Sequence, residues 1–105
     1  MNLTLFTGSA NLPLAQAVAQ SLGTTLGACE LQRFPDGELH VALQQSVRGD
    51  DVYLIQPTSP PAEAHLLELL FLADGCRRSG AARLTAVLPY FGYARQARRA
   101  NGREA

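Results

Sequence analysis

The chain reads as an α/β fold, a mainly parallel sheet flanked by helices, and three observations lead to that reading. Short apolar runs of strand length recur at residues 3–7, 51–56 and 84–88. Stretches whose apolar residues recur three and four apart stand between them. The last two runs are apolar almost throughout rather than alternating, as in strands covered on both faces. With 105 residues the chain is one domain or part of one, large enough to bury a core.

The first run, LTLFT, ends at Gly8-Ser9 and predicts a strand followed by a turn. Asn11 fits a helix N-cap, with Pro13 in the first turn. Leu14, Ala17, Val18 and Leu22 then keep helical spacing up to a stop at Gly23. Residues 30–34 predict a weak second strand, and Leu39, Val41 and Leu43 alternate with polar neighbours in a half-exposed third over 38–43. Pro35-Asp36-Gly37 between them is turn chemistry, so the pair predicts a hairpin-like excursion. Arg48-Gly49-Asp50 is a further turn before the run DVYLIQ. The loop 57–61 feeds a long helix over 62–79, where Leu66, Leu67, Leu69, Leu70 and Ala73 predict a wide apolar face. Arg77 and Arg78 in its last turn suit the helix dipole and Gly80 ends it. After the strand at 84–88 only seventeen residues remain and no strand pattern follows, so the chain is expected to be the opening part of a larger α/β unit.

Charge is divided along the chain. Residues 1–75 hold two Arg against eight carboxylates, and residues 76–105 hold seven Arg against Glu104 alone. There is no Lys. Such a division favours an anionic ligand at the basic end or contact between opposite faces of two subunits. Cys29 and Cys76 have no motif spacing, which predicts reduced, structural thiols. The N-terminus lacks the basic and apolar regions of a signal peptide, and the apolar stretch 66–73 is too short to span a bilayer. A soluble cytoplasmic protein without membrane partners is expected. His40 and His65 are far apart and lack metal-ligand spacing, and neither a Walker loop nor G-x-G-x-x-G occurs.

Two constellations carry possible chemistry. Phe34-Pro35-Asp36-Gly37-Glu38 sets an aromatic ring and two carboxylates around a tight turn. The ring could stack on a purine while the carboxylates accept from an amine or hydroxyl; equally, Asp36-Gly37 is good turn sequence and Phe34 a core residue. The second is the run Arg95, Gln96, Arg98, Arg99, which leaves the last strand where ligands gather in open α/β sheets. Guanidinium groups match phosphate oxygens in bidentate fashion, so a phosphorylated ligand such as a nucleotide is one reading. A solvated basic tail is another. A nucleic-acid patch is a third, opposed by the neutral net charge and by aromatics that precede the Arg run instead of interleaving with it.

These residues, in this order, resemble the N-terminal part of the ribose-phosphate pyrophosphokinase family. TGSANLPLAQAVAQSLG resembles its first strand and helix, and RFPDGELHV its F-x-D-G-E segment. The stretch from SVRGDDVYLIQ to VLPYFGYARQ resembles its central part almost word for word. The resemblance implies a phosphoribosyltransferase-like fold, incomplete at the C-terminus over residues 1–105. It implies transfer of the β,γ-pyrophosphoryl group of ATP to the 1-hydroxyl of ribose 5-phosphate, with Mg²⁺, giving phosphoribosyl pyrophosphate and AMP. It places Phe34, Asp36 and Glu38 at the adenine of an ATP bound to a neighbouring subunit of a homo-oligomer, and Arg95 and Gln96 at its phosphates and nucleoside. Ser46 and Arg48 fall on an effector phosphate site. The family's Asp after Arg-Gln is Ala97 here, and its metal-binding His, flexible loop and ribose-phosphate loop map beyond residue 105. No catalytic residue and no metal ligand is therefore expected within the chain, and alone it should be inactive. The alternative is a non-catalytic regulatory or binding module that assembles with full-length synthetase.

Overall fold

A computed structural model of the chain describes residues 2–90. Its element order is β1 (Leu3–Thr7), α1 (Leu12–Ser21), β2 (Cys29–Arg33), β3 (Leu39–Leu43), β4 (Asp51–Ile55), α2 (Ala62–Arg78) and β5 (Arg83–Val87). Three strands form one parallel sheet in the order β1-β4-β5, with Leu5 opposite Tyr53 and Tyr53 opposite Thr85. The α/β class and the parallel sheet read from the sequence are both present. The excursion between β1 and β4 is an antiparallel hairpin in a sheet of its own, with Leu31 facing Val41.

Strand alternation divides the core in two. Phe6, Val52 and Leu54 point to one face and pack with Leu69, Leu72 and Cys76 of α2 and with Val47. Cys29, Val41 and Leu43 of the hairpin pack against the same cluster, so α2 is held by the sheet and by the hairpin. Leu5 and Ile55 point to the other face, where Ala15 and Ala19 of α1 cover them. The α1 face therefore differs from the expected one. The alanines turn inward, because a side chain of one carbon lets the helix lie close to the sheet, while Leu22 is exposed at the C-cap.

Caps follow the sequence closely. The Asn11 side chain accepts a hydrogen bond from the Leu14 N–H at 3.1 Å. Gly23 and Gly80, just past the two helices, adopt positive φ of 70° and 89°. Two expectations need correction. The run 84–88 was expected to be buried, yet β5 is the last strand in the order and Val87 and Leu88 are exposed. Among the described residues no further layer covers them. The apolar face of α2 is also two faces. Leu69 and Leu72 are buried, whereas Leu67 and Leu70 are exposed together with Phe71.

Candidate functional site

The hairpin tip is a small rigid unit built from Arg33 to Glu38. The Phe34 N–H donates to the Glu38 carbonyl and the Gly37 N–H to the Phe34 carbonyl, both at 2.8 Å. Gly37 has a φ of 90°, a conformation that L side chains resist. One Asp36 carboxylate oxygen accepts from the Glu38 N–H at 2.9 Å, and the Arg33 guanidinium donates to the Gly37 carbonyl at 3.0 Å. This closed set of bonds fixes the turn in shape. It leaves the second Asp36 oxygen and the Glu38 carboxylate directed to solvent.

Phe34 is 41% exposed and is not a core residue. Its ring leans on His40, with centroids 5.7 Å apart and planes at 36°. His40 sits two positions from Glu38 on the returning strand, so strand alternation puts it on the same side. Sequence reasoning set His40 aside because it lacked metal-ligand spacing; the signal that would have found it was its place in the Glu38, His40 alternation. The tip thus presents two exposed, mutually tilted rings, one apolar and one an imidazole, beside two carboxylates. Such a surface can stack on a flat heterocycle and accept hydrogen bonds from its amino group or from a sugar hydroxyl.

Ser46 and Arg48 lie elsewhere, in the turn that enters β4 at the amino edge of the sheet. The Ser46 hydroxyl accepts from the Arg48 N–H at 3.4 Å, a long contact. Gly49, with a φ of 74°, donates through its N–H to the Gly80 carbonyl at 2.9 Å, which ties this turn to the end of α2. The Arg48 side chain packs beside Gly80, and its guanidinium is exposed with the rest of the residue. Arg95 and Gln96, expected at the phosphates and nucleoside, lie with Ala97 outside the described residues. Among the described residues no hydrogen bond joins the hairpin tip to the Ser46–Arg48 turn.

The carboxyl edge of the sheet holds a constellation that the sequence reading passed over. Glu68 on α2 is 6% exposed, and its carboxylate reaches the loop after β1. It accepts from the Ser9 N–H and hydroxyl, each at 2.8 Å, and from the Gln56 amide at 3.0 Å. Gln56, fully buried at the end of β4, also donates to the His65 carbonyl and accepts from the Ala10 N–H. Beside it the Thr58 N–H donates to the Tyr90 carbonyl at 2.7 Å, so the β4 loop holds the chain as it leaves β5. Glu68 read as an interruption of an apolar run. In the structure it stands on the inward side of α2, one residue before Leu69 and four before Leu72.

Cys29 and Cys76 are both free. Burial pushes the Cys76 thiol up to about 11, with nearby Cys29 adding to the rise, and burial raises Cys29 as well. Both are kept as inert thiols in the core between α2 and the hairpin. Among the described residues no group of three or more His, Cys, Asp or Glu could hold a metal ion. Among them, too, no helix is long and apolar enough to cross a membrane.

Comparison with known proteins gives a consistent picture. The family described as the N-terminal domain of ribose phosphate pyrophosphokinase matches residues 3–105. Ribose-phosphate pyrophosphokinase 1 of Spinacia oleracea is 55% identical over 102 residues, which are 97% of this chain and 30% of the relative. The Nostoc ribose-phosphate pyrophosphokinase is 55% identical over the same share of this chain and 31% of its own length. A chloroplastic ribose-phosphate pyrophosphokinase 1 of Oryza sativa is also 55% identical, over 26% of its length. The crystal structure of phosphoribosylpyrophosphate synthetase from Mycobacterium smegmatis superposes with a TM-score of 0.93 at 39% identity, covering 100% of this chain and 35% of that one. The chain spans roughly a quarter to a third of the length of the relatives it matches.

Proposed function

The chain belongs to the family of ribose-phosphate pyrophosphokinase N-terminal domains, and from that premise we propose that it supplies the nucleotide-facing part of an enzyme that transfers pyrophosphate from ATP to ribose 5-phosphate. The products are phosphoribosyl pyrophosphate and AMP, and the reading carries a cytoplasmic setting and a role in nucleotide biosynthesis with it. Phe34 stacks on the adenine of an ATP held by a neighbouring copy in a homo-oligomer, and Asp36 and Glu38 accept from its amino and hydroxyl groups. Arg95 and Gln96 meet the phosphates and nucleoside, and Ser46 and Arg48 receive an effector phosphate. Mg²⁺ would arrive on the ATP phosphates, and its protein ligands lie outside this chain. In phosphoryl-type transfer the protein's task is positioning and neutralisation of spreading charge, and a planar, always-charged guanidinium suits the second task.

The observation that carries this reading is the hairpin tip. It spends its own hydrogen bonds on its shape and leaves an exposed ring, leaning on His40, and two exposed carboxylates turned outward, of which only one Asp36 oxygen has a hydrogen bond among the described residues. Titration of the 105-residue chain with ATP tests it. Weak binding is expected, because the site needs parts of two subunits and of a longer chain. Phe34→Ala should weaken it by about 5- to 100-fold, the value of one base–aromatic stack. Arg95→Ala should weaken it too, and Arg77→Ala should not. Equal losses from the two Arg changes would reduce the effect to general charge attraction. Turnover of ATP and ribose 5-phosphate by this chain alone would overturn the expectation that essential parts lie outside it.

A further inference from the structure

The exposed face of the β2–β3 hairpin continues past its tip. Strand alternation sets Gln32 and Phe34 on one side chain row and Glu38 and His40 on the other, all on the same face, and all four are exposed. Arg33, between Gln32 and Phe34, goes to the opposite face and donates to the Gly37 carbonyl. His40 stands opposite Gln32 in the register and diagonally across from Phe34, with the two rings in contact. Of the two histidine rings, that of His65 is engaged by the Ser59 carbonyl at 2.7 Å. That of His40 has no hydrogen bond among the described residues.

Hydrogen-bond chemistry at the tip is otherwise one-sided. Ionised carboxylates such as those of Asp36 and Glu38 only accept. The N–H groups of Phe34, Gly37 and Glu38 are spent inside the turn. A purine is two-sided: in adenine the exocyclic amino group donates, and the ring nitrogens that flank it accept. A seat made of acceptors alone leaves those nitrogens unread. Imidazole supplies the missing donor, because the neutral ring has one N–H and the protonated ring has two. The 36° tilt between the rings decides how it does so. A base lying flat on Phe34 cannot lie flat on His40 as well, so the imidazole offers the base its polar edge. Gln32 also carries a donor on this face, but among the described residues only His40 has a ring contact with Phe34.

We infer that His40 is a base-reading residue, whose imidazole N–H donates to a purine ring nitrogen beside the amino group that the tip carboxylates accept from. The inference deepens the nucleotide reading and rests on it, since the base must first stack on Phe34. His40 takes no part in the chemistry of transfer. It fixes which heterocycle sits on the Phe34 ring and how that heterocycle is turned.

NMR titration of the 105-residue chain with ATP tests it, with the two histidine rings as reporters. The His40 ring signals should shift, while those of His65, held by the Ser59 carbonyl, stay in place. His40→Phe keeps a ring beside Phe34 and removes the N–H. It should raise the Kd for ATP about 3- to 10-fold, the worth of one hydrogen bond. That loss should vanish with either 1-deaza-ATP or 7-deaza-ATP, each of which lacks one of the two flanking nitrogens. If ATP does not bind, or Phe34→Ala does not weaken it, the nucleotide reading itself falls and this inference with it. If Phe34→Ala weakens ATP and His40→Phe does not, the reading stands and His40 has no part in it. An equal loss from His40→Phe with ATP and with both analogues would overturn the hydrogen bond and leave His40 a packing neighbour of the base. A loss found at Gln32→Ala instead would move the donor to Gln32 and overturn the inference too. Should His40→Phe fail to fold, the unaltered chain decides the matter: an unmoved His40 beside a shifted Phe34 ring overturns it.

Discussion

Glu68 and the pair Asp36–Glu38 are carboxylates in opposite circumstances. Glu68 is buried, and the chain itself supplies its donors: the Ser9 N–H, the Ser9 hydroxyl and the Gln56 amide. At the hairpin tip, among the described residues, only one Asp36 oxygen is engaged, by the Glu38 N–H, and the Asp36 and Glu38 side chains are exposed beside an exposed ring. A buried acceptor with every partner in place ties structure together, because desolvation punishes any loss. An exposed acceptor on a rigid turn contributes little to folding and remains free for something else. The difference separates a carboxylate that holds the fold from a pair left to solvent.

The sharpest way to break this comparison is at Glu68. Glu68→Ala strands the Ser9 N–H and the Gln56 amide in a buried site and leaves a void, for a cost of about 2–3 kcal/mol. At this chain length that is a fall in Tm of roughly 10 °C or more, readable by thermal denaturation. Glu68→Gln keeps one acceptor oxygen and should cost less. A double-mutant cycle with Ser9→Ala isolates the pairing: if the two losses simply add, Glu68 and Ser9 do not act together.

Why the tip was legible in the sequence and the clamp was not follows from the range of the bonds. Every hydrogen bond that shapes the tip joins residues at most four apart, so Pro35-Asp36-Gly37 announced it directly. The Asn11 cap and the strand runs are local in the same way, and each lies within a residue or two of its expected place. The Glu68–Ser9 bond spans 59 positions and depends on β1 and α2 meeting across the sheet, which no local pattern carries. Burial failed for the same reason. Leu67, Leu70 and Val87 are as apolar as their buried neighbours, and only the layers around them decide which are covered. Among the site residues, Phe34 was left open between core and platform, and the fold resolves it as exposed.

Two glycines extend the comparison with the next largest effects. A Cβ on Gly8 would collide with the Gln56 side chain, which is fully buried and committed to Glu68. Gly8→Ala should therefore cost about 1–3 kcal/mol through displacement of that network. A Cβ on Gly37 meets nothing within 4 Å, so its cost comes only from the φ of 90°. Gly37→Ala should cost about 1 kcal/mol. Urea denaturation of the two variants orders them, and a larger loss at Gly37 would reverse the assignment of clamp and tip.

The core beneath α2 carries a pH dependence of its own. Cys76 has its folded value pushed up to about 11, above the unfolded thiol. The folded state thus holds this proton more tightly, a contribution fully present below the unfolded value. It is lost as pH rises from there through about 11. Stability should fall across that alkaline window, and Cys76→Ala should flatten the fall at the expense of a lower plateau. An identical slope in Cys76→Ala would assign the alkaline loss to other groups.

The smallest effect on folding is the most informative about the tip. Phe34 is exposed, and among the described residues its one ring neighbour is His40, itself exposed. Truncation to Ala removes a contact that water already shares, and the backbone bonds of the turn do not involve the ring. Phe34→Ala should therefore change the unfolding free energy by less than about 0.5 kcal/mol. A side chain so dispensable to the fold, on a turn so closely held, is free to serve the stack proposed above. A loss above about 1 kcal/mol would instead make Phe34 a packing residue of the hairpin, and the stack on a purine would lose its platform.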